Sequence, residues 1–124
     1  MLGGALPVAF IATADGDRAR AFYADTLGIP FIADEGAALV FDLQGTTLRV
    51  TPIERVVPQP FTVLGWRVED ATSAVQELAR RGVSFERYPT LEQDELGIWT
   101  SPSGARVAWF KDPDGNLLSL TSSA

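Results

Sequence analysis

An apolar run over residues 6–13 opens the pattern. Its parity puts Val8, Phe10 and Ala12 on one sheet face and Ala9, Ile11 and Thr13 on the other. The spacing then changes. Ala19, Phe22, Tyr23 and Leu27 recur at helical intervals, Asp15 stands where an N-cap belongs, and Gly28 supplies a left-handed stop. Residues 16–27 therefore read as a helix. Three strand-like runs follow at 29–33, 38–43 and 47–51, with Gly36 and Gly45 at the turns between them.

Pro52, Pro58 and Pro60 crowd the next stretch, too densely for a sheet to continue, so 53–60 reads as a linker. The order then repeats. Residues 61–68 read as a strand, Asp70 or Thr72 as the cap of a helix running to Arg81, and Gly82 as its stop. Ala74, Val75, Leu78 and Ala79 form that helix's inward stripe. Strands are expected near 83–87, 96–100, 105–111 and 117–121, with turns at Pro102-Ser103-Gly104 and Asp112-Pro113-Asp114-Gly115-Asn116. In the strand opening this half, Val63, Gly65 and Arg67 share one face and Leu64, Trp66 and Val68 the other. An internal repeat of this length indicates one architecture built twice. The fold class is α+β, two βαβββ modules at about 5–52 and 61–122 within a single domain, 1–124. In each module one sheet face covers the helix and the other is left to line a concave surface.

The paired βαβββ halves, Phe22-Tyr23 with Leu27-Gly28 in the first helix, and the Asp112-Pro113-Asp114-Gly115-Asn116 turn resemble the vicinal oxygen chelate superfamily. That group includes glyoxalase I, extradiol dioxygenases, fosfomycin-modifying enzymes and bleomycin-resistance binding proteins. The resemblance covers nearly the whole chain. It implies a mixed sheet curled into a cup, and a homodimer. It also implies where metal ligands would stand in the enzymes of the family: on the first and last strands of each module. Counting seven residues back from Asp15 and Asp70 gives Val8 and Val63; the last-strand positions fall on Arg49 and Ser119. None suits a divalent ion, which wants imidazole nitrogen or carboxylate oxygen. The neighbours Ala9, Leu48, Leu64 and Leu118 do not rescue the set.

Composition narrows the chemistry further. The 124 residues hold no histidine and no cysteine, which removes imidazole bases, thiol nucleophiles and disulfides. A net charge of −6 argues against nucleic acid, whose phosphates it would repel. No apolar run reaches the ~20 residues that cross a bilayer. Residues 2–14 are apolar but lack a basic n-region, and removing them would delete the first strand, so the expected location is cytoplasmic.

The residues favour a metal-free, cofactor-free binder of a planar or aromatic small molecule. Its expected contacts are Phe10, Arg49, Val63, Gly65, Arg67, Trp99, Trp109 and Ser119. Arg49 either orients an acidic ligand group or pairs with a neighbouring carboxylate such as Asp42 or with a residue of the other half. Trp66 belongs to the core, and Gly65 leaves room on the cup face. The Glu92-Asp94-Glu95 cluster reads as a solvated loop, Asp112 and Asp114 as turn formers, and Lys111 as a solvated cation. Two alternatives stand: a glyoxalase-like lyase, isomerase or dioxygenase relative with a diverged site, using a carboxylate or tyrosine, and a structural partner whose cup is filled by its own side chains.

Overall fold

The computed structural model describes residues 1–123, and the chain divides into two compact units, Met1–Val57 and Pro58 onward. The boundary falls inside the proline-rich linker. A short 3₁₀ turn, Leu2–Gly4, precedes the first unit.

The first unit contains β1 (Val8–Thr13), α1 (Gly16–Arg20), β2 (Phe31–Asp34), β3 (Leu39–Leu43) and β4 (Thr46–Pro52), in the sheet order β1-β4-β3-β2. The outer strand β1 runs parallel to β4, and the other neighbours are antiparallel. Asp15 caps α1 by accepting from the Arg18 N–H at 3.1 Å, as its position predicts. The expected helix 16–27 does not stay α-helical. From Ala21 to Thr26 it widens into a π-helix, with Leu27 N–H donating to the Phe22 carbonyl at 2.9 Å. Gly28 adopts φ 71°, and Ile29 N–H closes the end on the Tyr23 carbonyl, a seven-residue loop that needs a left-handed residue inside it. Tyr23, Phe41, Leu48 and Val50 are fully buried between this helical segment and the sheet. Each such side chain contributes about 1.5–3 kcal/mol by leaving water. The strand expected at 29–33 begins only at Phe31, because Pro30 has no N–H to give a ladder.

The second unit repeats the plan with β5 (Leu64–Arg67), α2 (Ala71–Arg80), β6 (Trp99–Thr100), β7 (Arg106–Lys111) and β8 (Leu117–Ser122), in the order β5-β8-β7-β6. Asp70, rather than Thr72, is the cap: its carboxylate accepts from the N–H groups of Thr72 and Ser73 and from the Ser73 hydroxyl. Those bonds, the Ser73 hydroxyl first, hold the Asp70 carboxyl below its usual pKa. Ala71 and Val75 are the buried residues of α2, Ala74 and Leu78 are half-buried and Ala79 is exposed, so the inward stripe loses Ala79 and gains Ala71. Phe110 is fully buried, with Trp66 stacked at 6.4 Å and Phe85 edge-on at 5.6 Å, which places Trp66 toward the core as its parity requires.

Two expected strands shrink. The strand opening the second half spans Leu64–Arg67 rather than 61–68, leaving Val63 just outside it, joined through its N–H to the Leu117 carbonyl. No strand forms over 83–87: Phe85 makes one isolated bridge to Phe110. The rest of that segment is tied by a side chain. Gln93 accepts from Tyr88 N–H and donates to the carbonyls of Glu86 and Gly97, replacing ladder bonds with amide bonds of the same kind. The expected strand 96–100 is likewise reduced to two residues. Asp112 is nearly buried and closes the β7–β8 turn, accepting from the N–H groups of Asp114 and Asn116 and from the Asn116 amide. Its reading as a turn former holds.

Candidate functional site

Each sheet has one face against its helix and one open face, and the register fixes what shares the open one. Residues paired across neighbouring strands point to the same side. In the second unit the pairings Gly65–Ser119–Trp109 make a central row, and Arg67–Thr121–Val107–Trp99 make the next. Lys111 and Leu117 make the third, at the end where Val63 joins Leu117. Five expected site residues, Gly65, Arg67, Trp99, Trp109 and Ser119, therefore stand together on one face. Val63 lies just off its end.

The aromatic rings on this face touch. Trp99 and Trp109 lie 6.1 Å apart with planes tilted by 35°, and Tyr88 meets Trp109 edge-on at 5.5 Å. Both spacings are those of favourable ring pairs. Beside Tyr88 a recess of about 340 Å³ opens between Pro58, Pro60, Leu117 and the Lys111–Glu86 ion pair, whose atoms are 3.3 Å apart. Burial, reinforced by the Glu86 charge, raises the Tyr88 pKa, so its phenol stays protonated at neutral pH.

Ser119 is 8% exposed as a residue, and its hydroxyl, which makes no hydrogen bond among the described residues, is the part that keeps access to solvent. Its neighbour explains the space it has. A Cβ added to Gly65 would stand 2.6 Å from the Ser119 Oγ, closer than such atoms approach, so glycine here is what lets the hydroxyl keep its position.

The open face of the first sheet differs. Its central row is Phe10–Arg49–Val40, and Phe10 is 64% exposed. Arg49 donates to the Glu35 carboxylate at 2.9 Å. Arg49 thus has a carboxylate partner within its own unit, and that partner is Glu35 rather than Asp42. Asp42 instead caps the β3–β4 turn by accepting from Gly45 N–H. Among the acidic cluster, Asp94 organises its own loop, accepting from Leu96 and Ile98 N–H groups and facing Arg106 at 3.5 Å.

The donor set does not fit the metal that the family resemblance implies. Val8 and Val63 have no lone pair, Arg49 is a cation already engaged, and Ser119 is a lone hydroxyl. Among the described residues no group of three or more carboxylates converges elsewhere.

Tyr88, Gln93 and Glu35 escaped the sequence reading. Tyr88 and Gln93 lie in a stretch with no periodicity, and Glu35 meets Arg49 across the β2–β3 turn. No local signal marks any of the three.

Comparison with known proteins agrees with this architecture. The sequence model of the Glyoxalase/Bleomycin resistance protein/Dioxygenase superfamily matches residues 5–120. The uncharacterized protein YraH of Bacillus subtilis is 28% identical over 114 residues, covering 80% of this chain and 83% of its own. A member of the same superfamily from Sphaerobacter thermophilus superposes with a TM-score of 0.76 at 23% identity, over 98% of this chain and 99% of that one. The lactoylglutathione lyase of Agrobacterium tumefaciens superposes with a TM-score of 0.69 at 18% identity, over 96% and 93%. At these identities the structures share the fold alone. No helix among the described residues is long and apolar enough to cross a membrane.

Proposed function

The chain belongs to the glyoxalase/bleomycin resistance protein/dioxygenase superfamily, and on that premise we propose that it is a metal-independent binding protein for a planar organic molecule. The ligand lies on the open face of the second sheet, over Trp109, between Trp99 and Tyr88. One observation carries this reading: Trp109, in contact with both Trp99 and Tyr88, shares a face with the Ser119 hydroxyl, which has no hydrogen-bond partner among the described residues. Flat rings bury apolar area against such a surface, and the few polar groups fix orientation.

An enzyme reading needs a base. Histidine and cysteine are absent, and the tyrosine nearest the recess is pushed toward its protonated form, which suits a hydrogen-bond donor rather than a base. We further place the chain in the cytoplasm as a homodimer, in keeping with the family resemblance and the lack of cysteine; sedimentation of the purified protein tests the dimer.

Titration of metal-stripped protein with a panel of planar aromatic compounds, read by tryptophan fluorescence, tests the function. Saturable quenching that weakens about tenfold in Trp109→Leu is expected. Binding that appears only after a divalent ion is added, or turnover of the compound, contradicts it.

A further inference from the structure

Among the described residues, Arg67 is the one charged residue of this face without an ion-pair partner. The sheet register sets it in the row beside the Gly65–Ser119–Trp109 row, and it makes no ion pair among the described residues. The other cations in comparable positions are engaged: Lys111 faces Glu86 at 3.3 Å and Arg49 faces Glu35 at 2.9 Å. On this face the Lys111 cation has its carboxylate, and the Arg67 guanidinium has none among the described residues.

We infer that the molecule held on this face is a planar aromatic acid, with Arg67 as the residue that selects its carboxylate. The inference rests on the binding function proposed above and adds the ligand's charge to it. The geometry supplies three points. Trp109 offers a ring surface at the middle of the face. The Ser119 hydroxyl beside it, without a hydrogen-bond partner among the described residues and open to solvent, offers a hydrogen bond. Arg67 stands one strand over from Ser119 and two strands over from Trp109, two residues along, which is about 9.6 Å and about 6.6 Å from Trp109 in the two sheet directions. A bicyclic acid lying over Trp109 with its carboxylate toward β5, together with the long Arg67 side chain, spans that separation. A guanidinium presents a fork to both carboxylate oxygens, a fit that a neutral or cationic substituent cannot use.

The chain's net charge of −6 points the other way only at long range. Screening reduces that field beyond roughly 8–10 Å, whereas contact with an unpaired guanidinium acts at bonding distance.

Three matched probes test this: naphthalene-2-carboxylate, naphthalene-2-carboxamide and 2-(aminomethyl)naphthalene, each titrated against wild type, Arg67→Gln and Arg67→Lys by tryptophan fluorescence. The carboxylate is expected to bind at least about tenfold more tightly than the carboxamide. In Arg67→Gln that preference disappears while carboxamide affinity stays within twofold, about the wild-type value; in Arg67→Lys it survives in part. Equal affinity for acid and amide, tighter binding of the ammonium compound, or an acid preference untouched by Arg67→Gln overturns the inference while leaving ring binding intact. Quenching by none of the three removes the ring-binding function, and the acid preference falls with it.

Discussion

The two modules share a backbone plan and almost nothing of their open-face chemistry. Phe10, Arg49 and Val40 form the central row of the first sheet; Gly65, Ser119 and Trp109 form that of the second. In the first, the polar group is satisfied internally by Glu35. In the second, the Ser119 hydroxyl and the Arg67 guanidinium have no hydrogen bond or ion pair among the described residues, and Trp109, on the same face, touches Trp99 and Tyr88. Duplication preserved what the core requires, namely caps, glycine stops and the helix-side apolar face. The solvent side was free to diverge. A fold stabilises itself through one face of each sheet and reserves the other for whatever it binds.

Truncating the cores should show the two halves as equals. Phe41→Ala and Phe110→Ala each remove a fully buried ring and are expected to cost about 3–5 kcal/mol, measured by urea unfolding. A much smaller loss in one half would break the equivalence of the cores. The next largest effect belongs to the second module alone. Gln93→Ala deletes three hydrogen bonds that hold 86–97 together, with an expected loss of about 1–3 kcal/mol and faster amide exchange at Tyr88. Unchanged exchange at Tyr88 would mean that the segment is held by something other than the amide.

Gly65→Ala sharpens the comparison at the site itself. The new Cβ meets the Ser119 Oγ, so stability should fall by about 1–3 kcal/mol unless the hydroxyl rotates away. Adding Ser119→Ala should recover that loss, and full additivity of the two changes would deny their contact. At the small end, Arg49→Ala should cost only about 0.2–1 kcal/mol, as befits a partly exposed ion pair, and Arg67→Gln should leave the urea midpoint unmoved. The Asp70 cap adds a pH signature. Its carboxyl titrates lower in the folded chain than in the unfolded one, so its stabilisation is complete above the unfolded value and disappears as pH falls through the folded value. Asp70→Asn should flatten that acid-side decline in a series of thermal melts.

Much of this was legible in the chain. Asp15 and Asp70 capped the helices, Gly28 and Gly82 took positive φ at their ends, and the parity of Val8 through Thr13 sorted the open face from the core face. Those signals are local, set by a few neighbouring residues. The failures were tertiary. Nothing near Phe85 announced that a glutamine eight residues on would take the place of a strand partner. Nothing near Arg49 pointed to Glu35. Trp99, Trp109, Ser119, Gly65 and Arg67 could be assigned to one face by alternation, but the ring contact of Tyr88 with Trp109 exists only after the irregular segment is docked.

Chemical-shift mapping on isotope-labelled, metal-stripped protein tests the difference between the two faces most directly. On adding naphthalene-2-carboxylate, the indole N–H signals of Trp99 and Trp109 and the amides of Gly65 and Ser119 should move saturably, while those of Phe10, Arg49 and Val40 stay fixed. Shifts centred on the first sheet, or none until a divalent ion is supplied, would contradict a metal-independent binding face on the second.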